Sequence, residues 1–203
     1  MSEPVQAVVF DVGRVIVEWD LRHLFAKLID DAQELDWFLA HVVTQEWHFE
    51  HDAGRPLDDM LPERIALFPD HSELIEAYRA RFLETIPGPV PGTLSLIEEL
   101  ASRNIPLFGI TNFGSEFWGQ FCPTMPIFDH FGDIVVSGDE KLAKPDLAIF
   151  ELAARRFGYD PSAMLFIDDN EANIFAAQKL GWQTHHFTDA NGLESRLREL
   201  ALI

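Results

Sequence analysis

Residues 8–20 read VVFDVGRVIVEWD: an apolar run that ends in Asp11, a glycine at position 13, and a second apolar run before Glu18, Trp19 and Asp20. With Ala7 in front of it, the first run has the pattern of a short strand buried on both faces. Asp11 then stands at the carboxyl end of that strand, which in an open parallel sheet is where ligands bind. Four further runs repeat the pattern: IPLFGI (105–110), DIVV (133–136), MLFI (164–167) and, much more weakly, QTHHF (183–187). Helical spacings separate them, in Leu94, Ile97 and Leu100, in Ile149, Ala153 and Phe157, and in Ile174, Ala177 and Leu180. Strands alternating with helices predict an α/β fold, a doubly wound parallel sheet covered on both faces.

Far more chain lies between the first two runs than a single crossover needs, and it reads as successive helices. Leu21, Leu24, Phe25, Leu28 and Ile29 form one apolar stripe, and Leu74, Ile75, Tyr78 and Phe82 part of another. The segment IPGPVPG (86–92), with three prolines and two glycines, closes this region as a stiff, helix-breaking hinge. The expected organisation is an α/β core of residues 1–17 and 87–203, carrying a helical insertion of residues 18–86.

The 203 residues are 47% hydrophobic, enough for a full core. Against 15 basic residues stand 34 acidic ones, a net charge of −19 that repels nucleic acid and anionic membranes. An anionic substrate must therefore meet a local cation or a bound metal that reverses the field. Only Cys122 is present, which precludes an intrachain disulfide and suits a reducing compartment. No basic segment precedes the first apolar run, and no window approaches the roughly 18–20 apolar residues of a membrane span. The expected location is cytoplasmic; oligomeric state leaves no mark in the composition.

Three strands end in polar groups: Asp11 after the first, Thr111 and Asn112 after the second, and Asp168, Asp169 and Asn170 after the fourth. Lys144 lies in KLAKPDLAIF, after the third strand and just before a helix whose first turn would hold Pro145. Singly, such residues are turn formers, helix caps or solvated loop positions. Their order on successive strands of one sheet is what joins them. Three carboxylates brought together repel unless a divalent cation neutralises them, and hard oxygen ligands favour Mg²⁺. Lys144 and the metal would make an anion site, with Thr111 and Asn112 as donors to phosphoryl oxygens. Asp11 can attack phosphorus to give an acyl phosphate that water later cleaves.

In these motifs the sequence resembles the haloacid dehalogenase superfamily, a group of mostly Mg²⁺-dependent phosphatases, over about residues 5–17 and 90–190. FDVGRVIV is similar to the family's first motif, ITN to its second, KLAKPDLAIF to its third and LFIDDNEANIFAA to its fourth. The insertion matches the family's helical cap, which closes over substrate. The resemblance implies that Asp11 is nucleophile and metal ligand, that the Gly13 carbonyl and Asp169 also bind the metal, and that Asp168 reaches it directly or through water. Thr111 and Asn112 would then hold the phosphoryl group and Lys144 would neutralise Asp11 and the transferring charge. The substrate would be a small phosphorylated metabolite.

Many phosphatases of this family carry a second aspartate two positions after the nucleophile, where it protonates the leaving alcohol; here that position is Gly13. Such general acid help is worth about 10²–10⁴ in rate. The combination of Asp-x-Gly with Asp-Asp-Asn resembles a subgroup that includes enzymes acting on sugar phosphates, whose leaving oxygen can depart unaided. Otherwise Glu18 or Asp20 can donate the proton, unless they are exposed acids at a helix start. A 2-haloacid dehalogenase would use the same aspartate without metal, and a non-catalytic binding protein would keep the fold alone. In the insertion, TQEWHFEHDAGR (44–55) gathers Trp47, His48, Glu50, His51, Asp52 and Arg55. Its histidines can be read as a second metal site or as ordinary helical residues, and Trp47 or His48 as pocket lining. Phe113 and Trp118 are candidates for the same lining, Arg14 for a contact with substrate or insertion. His185 and His186, facing opposite sides of the last strand, receive no role.

Overall fold

A computed structural model describes residues 3–203. It begins with β1 (Ala7–Phe10), followed by helices α1 (Arg22–Phe25), α2 (Ala32–His41), α3 (Gln45–Asp52), α4 (Leu57–Leu67) and α5 (Ser72–Ala80). Then come α6 (Thr93–Ser102), β2 (Leu107–Thr111), α7 (Ser115–Phe121), β3 (Phe131–Val136), α8 (Ser137–Glu140) and α9 (Leu147–Phe157). β4 (Met164–Asp168), α10 (Glu171–Lys179), β5 (Gln183–His186) and α11 (Ala190–Glu199) complete the chain.

The five strands form one parallel sheet in the order β3-β2-β1-β4-β5. All five apolar runs of the sequence are strands, including the weak last one. β1 is central, flanked by β2 and β4, and all four of its residues are fully buried. Alternation sends Val8 and Phe10 to one face, where they pack with Leu100 of α6 and Leu193 of α11, and Ala7 and Val9 to the other, with Ile149 of α9 and Ala177 of α10. This two-sided coverage is why the strands read as unbroken apolar runs.

Pro145 does not open α9. Asp146 caps that helix, accepting from the Ala148 N–H, so it starts at Leu147 and leaves Pro145 in the preceding loop.

The helices of residues 18–86 share the larger apolar cluster with one face of the sheet, through Phe38, Trp47, Tyr78 and Phe82. Two chain segments connect them to the sheet and pair with each other: Val90 donates to the Ile16 carbonyl, Glu18 to that of Gly88, and Asp20 to that of Thr85, at 2.9, 2.9 and 3.1 Å. The proline-rich segment is thus a paired neck. Further out, Phe82 stacks on Phe117 of α7 with ring centroids 3.6 Å apart. Gly114 meets the same helices: a Cβ there would lie 2.1 Å from the His51 ring, so only glycine lets α3 approach the β2–α7 loop this closely.

Candidate active site

β1 runs directly into Asp11, whose N–H continues the ladder by donating to the Ile167 carbonyl at 2.8 Å. The register sets Phe10 beside Ile167, so Asp11 emerges next to Asp168 at the end of β4. Asp11 Oδ1 accepts from the Val12 N–H at 2.7 Å and pairs with Lys144 Nζ at 2.8 Å. Oδ2 has no hydrogen-bond partner among the described residues.

Lys144 is 2% exposed and its ammonium bridges Asp11 and Asp168, the latter at 2.7 Å. Asn112 places it. The Asn112 amide donates to the Lys144 carbonyl at 2.9 Å and its Oδ1 accepts from the Lys144 N–H at 2.8 Å. The Asn112 side chain thus holds the Lys144 backbone through both of its polar atoms, while Asn112 itself also lines the cavity above Asp11. Thr111 is buried at the last position of β2, its hydroxyl without a partner among the described residues.

Asp168 is fully buried and saturated. Its oxygens accept from Lys144 Nζ, the Asn170 N–H (2.8 Å) and the Asn173 amide (3.0 Å to each oxygen). Asn173 is a site residue that the sequence reading missed; its signal was an amide on the inner face of the first turn of α10. Asn170 caps that helix through the Ala172 N–H. Asp169 is half-buried, and its carbonyl lies 2.9 Å from His186 Nε2, which gives that histidine a positioning contact. One oxygen each from Asp11, Asp168 and Asp169 lie within 4.8 Å of one another, the single cluster of this kind among the described residues.

Two acids share one ammonium here, and a third lies beside them. Burial pushes the Asp11 carboxyl up to about 8; Lys144 pulls it down, and Asp168 and Asp169 raise it. Burial and Asp168 likewise raise Asp169, against Arg14 and Lys144. Burial opposes the charge on Lys144, yet Asp11 and Asp168 hold its ammonium above the ordinary value. These directions agree: Lys144 stays charged against Asp168, and the surplus negative charge is relieved by a proton or by a cation.

Above these groups is a cavity of about 460 Å³, within the range of small-molecule sites. Its floor includes Asp11, Gly13, Lys144 and Asp169, and its walls are largely Val17, Trp19, Phe49, Phe82, Ile86 and Phe113. Arg14 lines it too, 5.3 Å over the Trp19 ring, and so does His48. Trp47 and Trp118 do not; they pack in the core against Tyr78 and against Phe113 and Phe128. Glu18 and Asp20 also lie outside its lining. Glu18 is exposed and Asp20 accepts from the Arg22 N–H at the start of α1, so neither is placed to protonate a leaving group. His48 and His51 are engaged separately, with Tyr78 and with the Arg55 carbonyl, and belong to no metal-ligand cluster among the described residues.

A central parallel strand that delivers an aspartate to a lysine and two further acids has the groups of a hydrolase site built on a doubly wound sheet. The chain belongs to the haloacid dehalogenase-like hydrolases, whose family profile matches residues 5–181. It is 26% identical over 203 residues to the sesquiterpene phosphatase astK of Aspergillus oryzae, covering 98% of each chain. Over 109 residues it is 29% identical to phosphoglycolate phosphatase of Yersinia pseudotuberculosis, 54% of this chain and 47% of that protein. Its fold matches that of a HAD-family enzyme of Bacteroides thetaiotaomicron solved as a magnesium complex, with a TM-score of 0.73 at 20% identity, covering 97% and 99% of the two chains. Enzymatically the protein is a hydrolase with phosphatase relatives. No helix among the described residues is long and apolar enough to cross a membrane.

Proposed function

We propose that the protein is a Mg²⁺-dependent phosphatase that passes the phosphoryl group of a small ester to Asp11 and then to water. The observation that carries this reading is the clustering of Asp11, Asp168 and Asp169, one oxygen of each within 4.8 Å of the others, around Lys144, whose ammonium pairs with Asp11 and with the buried Asp168 beneath the cavity. Hard oxygen donors with excess negative charge fit Mg²⁺. Asp11, the Gly13 carbonyl and Asp169 would hold it, and Asp168, already saturated, would reach it through water. The metal would supply charge neutralisation for the transferring phosphoryl oxygens.

Asp11 attacks phosphorus through the oxygen that Lys144 does not occupy. Lys144 holds the carboxylate in line and offsets the charge that develops on the phosphoryl group. The Thr111 hydroxyl is free to donate to a phosphoryl oxygen, and Asn112 acts by fixing Lys144. Residues 18–86 serve as the cap whose side chains receive the organic part of the substrate, on the core of residues 1–17 and 87–203. A metal-free dehalogenase would need no acid at position 169 and no relief for Asp11.

The aromatic and aliphatic walls at Trp19, Phe49, Phe82 and Ile86 favour an apolar substrate body, with Arg14, Gln45, Glu46 and His48 as the polar groups of the same lining that a sugar would have to engage. The relative named a sesquiterpene phosphatase points the same way. With Mg²⁺, and with Asp11→Asn as blank, farnesyl phosphate is expected to exceed glucose 1-phosphate in kcat/KM by at least about tenfold. The opposite preference would reinstate a sugar phosphate.

Metal and pH should be linked through Asp11. Its folded pKa, about 8, lies above the ordinary 3.8, so between these values the native state binds more protons than the unfolded chain. Stability of the metal-free protein therefore falls as pH rises through that window. Mg²⁺ displaces the proton and should raise Tm more at about pH 8 than at about pH 5.5. Equal gains at the two pH values, measured by scanning calorimetry, would remove Asp11 from the metal site.

A further inference from the structure

Gly13 offers the reaction no proton, and Glu18 and Asp20 lie outside the cavity. Asp52, the last residue of α3, lies within it. It is 6% exposed and lines the same space as Asp11 and Lys144. One of its oxygens, Oδ2, is 3.2 Å from His48 Nε2, while Oδ1 is buried with no hydrogen-bond partner among the described residues. Leaving a buried oxygen unpaired is costly, and a counter-ion serving His48 alone does not require it.

Two features hold this carboxyl in register with the cavity floor. The Ser137 hydroxyl donates to the Asp52 carbonyl at 2.5 Å and accepts from the Phe113 N–H at 2.9 Å, one residue after Asn112. The same loop therefore fixes Lys144, through Asn112, and Asp52, through Phe113 and Ser137. On the other side His48 is itself braced: its Nδ1 is 2.7 Å from the Tyr78 hydroxyl, which donates to it when Nε2 carries the ring proton toward Asp52. Asp52 and His48 form a braced acid–imidazole pair in the lining of the cavity that also holds Asp11 and Lys144.

We propose that Asp52, supported by His48, is the proton donor to the leaving group, in place of the acid that Gly13 lacks. The inference rests on the aspartyl-phosphate reading above. As Asp11 bonds to phosphorus, the P–O bond to the alcohol breaks and its electron pair takes the proton from the Asp52 carboxyl. The alcohol leaves, and Asp52 remains as a carboxylate hydrogen-bonded to His48. In the second step that carboxylate takes a proton from water as the water oxygen bonds to phosphorus and the P–O bond to Asp11 breaks. Phosphate is released, Asp52 is again protonated and Asp11 is again free.

The test compares two leaving groups in the presence of Mg²⁺: 2-phenylethyl phosphate, whose alkoxide needs a proton, and p-nitrophenyl phosphate, whose phenolate does not. Asp52→Asn is expected to lower kcat/KM by about 10²–10³-fold on the first and by less than about tenfold on the second. An equal loss on both, or no loss on either, would overturn the proposal and make Asp52 a structural partner of His48. A series of aryl and alkyl phosphates on the unaltered protein asks the same question without a variant. A shallow dependence of kcat/KM on leaving-group acidity is expected, and a steep one would overturn the donor. If the unaltered protein releases no more phosphate than Asp11→Asn from any of these esters, the phosphatase reading fails and the donor falls with it.

Discussion

Asp11→Asn is expected to lose phosphate release by about 10⁴-fold or more, because the amide can neither attack phosphorus nor give a leaving carboxylate in the second step. The loss should come without unfolding. The amide has nearly the same shape, and Lys144 keeps its 2.7 Å bond to the buried Asp168. A neutral amide escapes both the burial that mainly pushes Asp11 up to about 8 and the repulsion from Asp168 and Asp169 that adds to it. The metal-free variant should therefore be at least as stable as the parent near pH 8 and should show a flatter fall of Tm with rising pH. Inactivity combined with undiminished stability identifies a nucleophile; inactivity combined with a large loss of stability would mark Asp11 as structural.

Lys144→Met is expected to do both kinds of harm. The methionine fills the volume but leaves Asp11 and Asp168 facing each other without a cation, in a pocket where the lysine is 2% exposed. Breaking a buried pair by removing one partner costs about 3–5 kcal/mol, and loss of the charge should cut kcat by about 10²–10³-fold. Asp11→Asn added to Lys144→Met should return part of the lost stability, since it removes an unpaired acid. The two changes are in contact, so their effects should not add. Denaturant unfolding of the four proteins in the cycle reads this coupling; additive effects would mean that Lys144 does not serve Asp11.

The sheet and its acids were legible because both follow local rules. A strand buried on two faces is apolar throughout, and a residue one step past its end must lie at the sheet's carboxyl edge; Asp11, Asp168 and Asp169 obey this. Position in the loops was less legible. Lys144 was found, but the competing cap at Asp146 that displaces Pro145 from α9 depends on one side-chain hydrogen bond. For Asn112 the two hydrogen bonds that join its side chain to the Lys144 backbone depend on how two loops meet, and no spacing in the sequence announces them.

The insertion was the least legible part. Its helices could be read from their stripes, but which residues reach the cavity depends on how α3 docks, and that docking rests on contacts remote in sequence. Ser137 bonded to the Asp52 carbonyl and Gly114 against the His51 ring leave no periodic signal. Glu18 and Asp20 suggested themselves as proton donors because they stand close to Asp11 along the chain, and neither lines the cavity.

The central claim is that phosphorus is transferred to Asp11. Acid quenching during steady turnover of p-nitrophenyl phosphate with Mg²⁺, followed by mass analysis of the peptide carrying Asp11, tests it most directly. A phosphoryl adduct on Asp11 is expected, dependent on Mg²⁺ and absent from Asp11→Asn. An unmodified Asp11 peptide, together with phosphate release that survives in Asp11→Asn, would contradict it.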